Sequence, residues 1–271
     1  MLNEPQTYRY SFFRLVLLIV LLLLLGIVPF IVLGDSNFIY VLFSFGVIGL
    51  LILISIFSLT RSTTVSNDGI STRSLLGERS LSWSEINSVS GRGNAIRLHN
   101  RDGDITVAPS PHLPRYPEVI EIIGAKRPDL FNPASYGTLS RSWLNSVLFL
   151  LTGLILIGVG IYLYLDSTET MMPILFLAVV SIGFIASVFM SILSLKVDGS
   201  LLTIRYLLSK TALNVDDIHS IGLAATQTRT GKSYYITIFT NHNRMIRFSG
   251  IGPTLPVVYL ILKIWHQAHS R

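Results

Sequence analysis

The sequence predicts a membrane α+β protein: four transmembrane helices in two hairpins, each hairpin followed by a small β-rich domain capped by a C-terminal helix. Three observations carry this. Half of the 271 residues are apolar and 13% are charged, against about 25% charged in an ordinary globular chain. The apolar residues collect in four uncharged blocks rather than spreading evenly. And the stretch Arg73–Val89 is written a second time as Arg205–Ile221.

The two copies align without gaps. Arg73 falls on Arg205, Leu75 on Leu207, Leu76 on Leu208, Leu81 on Leu213, Ile86 on Ile218 and Ser88 on Ser220. Glu85 meets Asp217, Trp83 meets Val215 and Val89 meets Ile221. Each copy follows a long apolar region and precedes a β-rich one, so the chain reads as one unit in tandem.

Residues 1–14 form a polar N-terminal tail ending in Arg14, and 15–33 is the first uncharged block. About 19 residues at 1.5 Å each cross a hydrocarbon core of ~30 Å. The block is longer than the apolar core of a signal peptide and ends in VLGDSN, so it reads as a retained helix. A polar turn with Asp35 leads to the second block, 38–60, closed by Arg61. So short a turn makes the pair an antiparallel hairpin.

Residues 61–132 are the first soluble segment. Strands are predicted at 70–76, 79–83, 87–90, 95–99 and 104–108, with glycine-bearing turns between them. A short helix opens at Pro117 with Val119, Ile120, Ile122 and Ile123 on one face. The third block is 143–165, a turn with Asp166 and Glu169 follows, and the fourth block is 171–195. The second soluble segment, 196–271, repeats the pattern, with a final helix lined by Leu255, Val258, Leu262 and Trp265.

Both hairpin turns lack Lys and Arg, whereas Arg14, Arg61, Arg141 and Lys196 sit at the span ends. This positive-inside bias predicts that the N-terminus, both β-rich domains and the C-terminus are cytoplasmic. It also accounts for the net charge of +6 without nucleic acid, since basic residues do not interleave with aromatics in a reading surface.

Signals for chemistry are sparse. The absence of cysteine removes disulfides, thiolate metal sites and cysteine nucleophiles. None of the six histidines has HExxH spacing, and His266 with His269 reads as a solvated helix end rather than a metal pair. Asp216–Asp217 reads as a turn, and Gly91–Arg92–Gly93 lacks the helix that a phosphate loop requires. No catalytic, cofactor-binding or metal-binding residue is assigned. The spans hold no ionisable side chain between their ends, which argues against an ion or substrate path. Gly183, Ser187 and Ser191 recur every four residues as a helix-packing stripe, joining the two hairpins or two copies of the chain.

Asp68–Gly69–Ile70, Ser82–Trp83–Ser84–Glu85–Ile86 and Arg101–Asp102–Gly103 carry a resemblance. So do Asp198–Gly199, Val215–Asp216–Asp217–Ile218 and the terminal helix with Trp265. The chain resembles the bacterial pleckstrin-homology-like (PH-like) membrane proteins, in which helix hairpins carry small PH-like domains. The resemblance implies a strongly bent sheet or barrel capped by the last helix. It departs in the first repeat, whose helix is short and has no tryptophan. It also raises anionic lipid as a ligand, through basic residues on the first hairpin of each domain: Arg73 and Arg79, then Arg205 and Lys210. The expected function is that of a non-enzymatic membrane scaffold docking an unidentified protein. The alternatives are anionic-lipid sensing and a transport or channel component.

Overall fold

The computed structural model describes residues 4–10, 16, 18–20, 22–23, 38–141, 143–166, 171–228 and 231–270. They fall into two compact units: Met1–Ser90 with Ala95–Lys126, and Gly91–Asn94 with Arg127–Arg271.

In the first unit a four-stranded antiparallel sheet runs in the order β1 (Gln6–Arg9), β2 (Ser62–Val65), β3 (Gly69–Ser74), β4 (Gly77–Ser82). Helix α1 (Phe38–Leu59) enters β2. A second sheet holds β5 (Ser88–Arg92), β6 (Ala95–His99) and β7 (Thr106–Val107), and helix α2 (Tyr116–Lys126) follows. Strand alternation sends Val65, Ile70 and Leu81 to one face, where all three are buried. Ile96, Leu98 and Val107 are buried from the second sheet, and Val119, Ile120 and Ile123 from α2.

The second unit repeats this order. Its four-stranded sheet is β8 (Thr138–Ser140), β9 (Ile192–Asp198), β10 (Leu201–Tyr206), β11 (Lys210–Asn214). Helices α3 (Trp143–Asp166) and α4 (Met171–Met190) lie between β8 and β9 in the chain. The three-stranded sheet is β12 (Ile218–Thr228), β13 (Gly231–Thr240), β14 (Met245–Phe248), and α5 (Leu255–His269) ends the chain. Thr254 caps α5 by accepting the Val257 N–H, and Pro256 sits in its first turn. A continuous buried run, Leu255 to Leu262, makes this helix the core of its unit.

The duplicated stretch occupies the same place in both units. Each copy is strand, turn, strand, one turn of 3₁₀ helix (Trp83–Glu85, Val215–Asp217) and the start of the next strand. Ile86 and Ile218 follow the 3₁₀ turns and are 1% and 4% exposed.

The expectation of four transmembrane helices is corrected here. Among the described residues one helical segment, Ser146–Leu165, is long and apolar enough to cross a membrane. The apolar stretches Phe45–Phe57 and Ile174–Met190 are shorter. The block at 15–33 lies outside the described residues at most positions. Much of the chain is instead antiparallel sheet. The reason is that an uncharged run does not separate a lipid-facing helix from a buried strand. The block 171–195 ends inside β9, whose Ile192 and Leu195 are buried in the sheet.

Two strands that periodicity did not show reorganise the repeat. Gln6–Arg9 lies within the polar tail, yet it pairs with β2, Arg9 opposite Ser62. Thr138–Ser140 pairs with β9, Ser140 opposite Ser194. Each helical segment is therefore inserted between two neighbouring strands of one sheet. In the second unit α3 and α4 pack antiparallel and return the chain to the sheet it left, where the Arg141 N–H donates to Leu193 C=O at 2.8 Å.

Candidate anion-binding site

Register determines what the basic residues can do. In the first sheet one cross-strand row is Tyr8, Thr63, Thr72 and Arg79, and the next is Arg9, Ser62, Arg73 and Glu78. Adjacent rows face opposite sides. The first shares the inner face with Val65, Ile70 and Leu81, and Arg61 and Ser74 extend that face towards α1. Here the apolar core stops, and a cleft of about 300 Å³ opens. Its lining includes Arg61, Arg73, Arg79, Thr63, Thr72 and Thr106. No hydrogen bond or ion pair occupies the side chains of these three arginines among the described residues.

Tyr8 closes the inner row. Its hydroxyl donates to Gln6 Oε1 at 2.6 Å, and burial raises its pKa, with Glu118 adding to the rise and Arg115 opposing it. The row thus holds a neutral donor, two threonines and a guanidinium.

Arg73 and Arg79, expected to act together, belong to adjacent rows that face opposite sides of the sheet, and both border the cleft at the sheet's end. Arg73 pairs across the strands with Glu78, which offsets its charge. In the second unit the equivalent pair is Arg205 with Lys210, both cations. Like charges opposite one another are destabilising unless an anion joins them. The inner row there is Leu139, Leu195, Ile204 and Thr211, three of them buried. Apolar side chains fill the space that is a cleft in the first unit.

Both sheets are polarised along their strands. In the first sheet, the end joined to α1 carries Arg9, Arg61, Arg73 and Arg79 with Glu78, and the far end carries Glu4, Asp68 and Glu85. In the second sheet, Arg141, Arg205 and Lys210 lie at the end joined to α3 and α4, and Asp198, Asp216 and Asp217 lie towards the other, where Lys196 is bridged to Asp198 at 3.1 Å. Hairpin pairing folds these scattered charges onto opposite ends, which no local sequence window displays.

The packing stripe faces away from the helix contact. A Cβ on Gly183 would meet nothing within 4 Å, and Ser187 is exposed with its hydroxyl bonded to Phe184 C=O. Ser191 is half-buried and bonds to Val188 C=O. The α3–α4 contact runs instead through Gly153, where a Cβ would lie 2.9 Å from Ile185 Cγ1 and 3.3 Å from Ser181 O. Phe149 and Phe184 meet beside it with centroids 5.7 Å apart.

Histidine geometry is local. His99 is held between Ser90 Oγ at 2.6 Å and Thr106 Oγ1 at 3.0 Å, across β5, β6 and β7. A nucleophilic triad needs a third group to orient the base, usually a carboxylate; here that place is taken by a threonine. His266 and His269, expected as a solvated end, bond to Ile218 C=O and Trp265 C=O, both at 2.9 Å. No group of three or more His, Cys, Asp or Glu among the described residues is placed to hold a metal ion. A scan against protein-family models finds no match, and no curated protein is similar to the chain.

Proposed function

We propose that this chain is a non-enzymatic, membrane-anchored protein of a bacterial cytoplasmic membrane, with two PH-like units that rest their basic ends on anionic lipid. The observation that carries this is the shared polarity of the two sheets: in both, the cations that no carboxylate bridges gather at the end from which the apolar helices depart, while Lys196 is bridged to Asp198. Each basic residue near an anionic leaflet contributes about 1 kcal/mol of attraction. The apolar surface of α3 supports anchoring, because Leu148, Leu154, Ile155 and Ile161 are exposed along it. A contiguous apolar surface of that kind is covered by lipid or by protein. The sequence of four strands, three strands and a helix in each unit supports the PH-like reading. Arg61 and Arg79 serve as the phosphate ligands, with the threonine hydroxyls of the cleft completing the shell.

The test uses the purified full chain in mixed micelles, with thermal unfolding as readout. Phosphatidylglycerol is expected to raise the melting temperature above that in phosphatidylcholine, and Arg61→Gln with Arg79→Gln to remove most of the difference. Equal stabilisation by both lipids, or an unchanged difference in the double variant, would overturn the assignment.

A second reading, protein docking, is favoured by a groove of about 580 Å³ beside α5, lined by Pro128, Pro133, Ala134, Ile264, Trp265 and Ala268. Grooves of this kind accept an extended or helical segment. Ala134→Arg is expected to abolish capture of such a partner from native membranes and to leave the lipid response intact.

A further inference from the structure

The β3–β4 and β10–β11 turns are built alike. Each presents two leucines, Leu75–Leu76 and Leu207–Leu208, and the second of each pair is 87% and 80% exposed. These turns are the duplicated Leu-Leu positions, so the exposure recurs in both units. Turns ordinarily favour Gly, Asn, Asp, Pro and Ser, for backbone and hydrogen-bonding reasons. Gly77, at φ +129°, meets that demand in the first turn, and the leucines beside it do not.

Strand register says where the turns lie. Ser62 is opposite Arg73 and Ser74 is opposite Gly77, so the Leu75–Leu76 turn stands two residues beyond Ser62, at the end of the sheet where α1, ending at Leu59, joins β2. Ile192 is opposite Tyr206, whose N–H donates to Ser209 C=O at 2.8 Å, so the Leu207–Leu208 turn stands one residue beyond Ile192, where α4, ending at Met190, joins β9. At about 3.3 Å per residue, both leucine pairs stand at the height where an apolar helix ends. Two or three residues below each pair come the cations: Arg73 and Arg79, then Arg205 and Lys210.

We infer that the two Leu-Leu turns are interfacial anchors, inserted among the acyl chains just beneath the headgroups while the flanking cations meet the phosphates. An apolar tip above a basic collar is the arrangement by which amphipathic segments lie in the interface rather than cross it. The occupant is the bilayer and not a protein, because the same tip recurs at the same height beside a helix end in two separate units. The inference rests on the membrane anchoring through α3 proposed above and adds to it one point of attachment on each unit. Held by α3 and a tip, the second unit keeps one orientation on the surface, where a helix alone would leave it free to tilt.

The chain contains no cysteine, so single substitutions label cleanly. Leu76→Cys and Leu208→Cys carry an environment-sensitive fluorophore on the full chain in nanodiscs of phosphatidylcholine and phosphatidylglycerol. Asp68→Cys and Ser200→Cys, at the far ends of the sheets, serve as aqueous controls, and Ile155→Cys in α3 serves as the anchoring control. Quenchers sit on lipid chains near the headgroup or deep in the core. The expected result is blue-shifted emission at Leu76 and Leu208 with shallow quenching, deep quenching at Ile155, and neither at Asp68 or Ser200. Water-like emission at Leu76 and Leu208 with Ile155 quenched would overturn the anchors and leave membrane anchoring standing. An unquenched Ile155 would overturn anchoring, and the tips with it.

Discussion

The indole N–H of Trp265 donates to the carbonyl of Gly199 at 2.6 Å, from the last helix to the β9–β10 turn. The first unit makes the matching bond from another element. There Trp83, in the 3₁₀ turn after β4, donates to Ser66 C=O at 3.1 Å, in the β2–β3 turn. Val215 stands in the second unit where Trp83 stands in the first. A tryptophan thus ties the far turn of each sheet, and the shorter α2 leaves the task to the 3₁₀ turn. Trp265→Phe removes the donor and strands a carbonyl, with an expected loss of about 1–3 kcal/mol. Thermal unfolding of the full chain reads it. An unchanged melting temperature would mean that the bond holds nothing.

Ile86 and Ile218 fill equivalent core positions after the 3₁₀ turns. Ile86→Ala and Ile218→Ala are each expected to cost about 2–5 kcal/mol, through lost burial and the cavity left behind. Protease sensitivity should rise in the unit that carries the change and not in the other. A neutral Ile86→Ala would disprove the equivalence of the two stretches.

Acid should weaken both units through specific carboxylates. The Ser82 backbone N–H donates to Glu85 at 2.8 Å and lowers its pKa, with the Ser82 side chain assisting. The Arg127 guanidinium, bonded to Asp129 at 2.6 and 2.9 Å, lowers that group's pKa. A depressed folded-state value means that the stabilisation is complete above the unfolded-state pKa and disappears as pH falls through the folded one. The affected window therefore lies below the usual carboxylate range. Glu85→Gln and Asp129→Asn should lower stability at neutral pH, flatten the acid limb of the stability curve and converge with the parent chain at low pH. A steeper limb in either variant would reverse the sign.

The α3–α4 contact depends on a missing side chain. Gly153→Val would drive a branched Cβ against Ile185 and the Ser181 carbonyl, at a cost of about 1–3 kcal/mol. Gly183→Val meets open space and should leave the helix pair intact. If the 183–187–191 stripe joins two copies of the chain, Gly183→Val will instead reduce cross-linked dimer in membranes, with folding unaffected. Loss of stability in Gly183→Val alone would invert this assignment of faces.

Local pattern was enough for most strands of both soluble segments, though not Ser62–Val65 or Ile192–Asp198, and for their terminal helices and the duplication, because alternation, turn residues and helix caps act over a few neighbours. The predicted strand at 95–99 is β6, and the helix opening at Pro117 is α2. The resemblance to PH-like proteins singled out Arg73, Arg79, Arg205 and Lys210 as basic residues on hairpins. Tertiary structure decided how they combine. Register set Arg79 beside Arg61 and turned Arg73 to the opposite face against Glu78, since a pleated strand reverses its side chain at each residue. It made strands of Gln6–Arg9 and Thr138–Ser140, segments too short to show a period, which are stabilised by partners about fifty residues away. It also assigned the end of the fourth apolar block to a buried strand. An uncharged run records only that a segment avoids water; whether lipid, a second helix or a sheet covers it depends on residues distant in the chain.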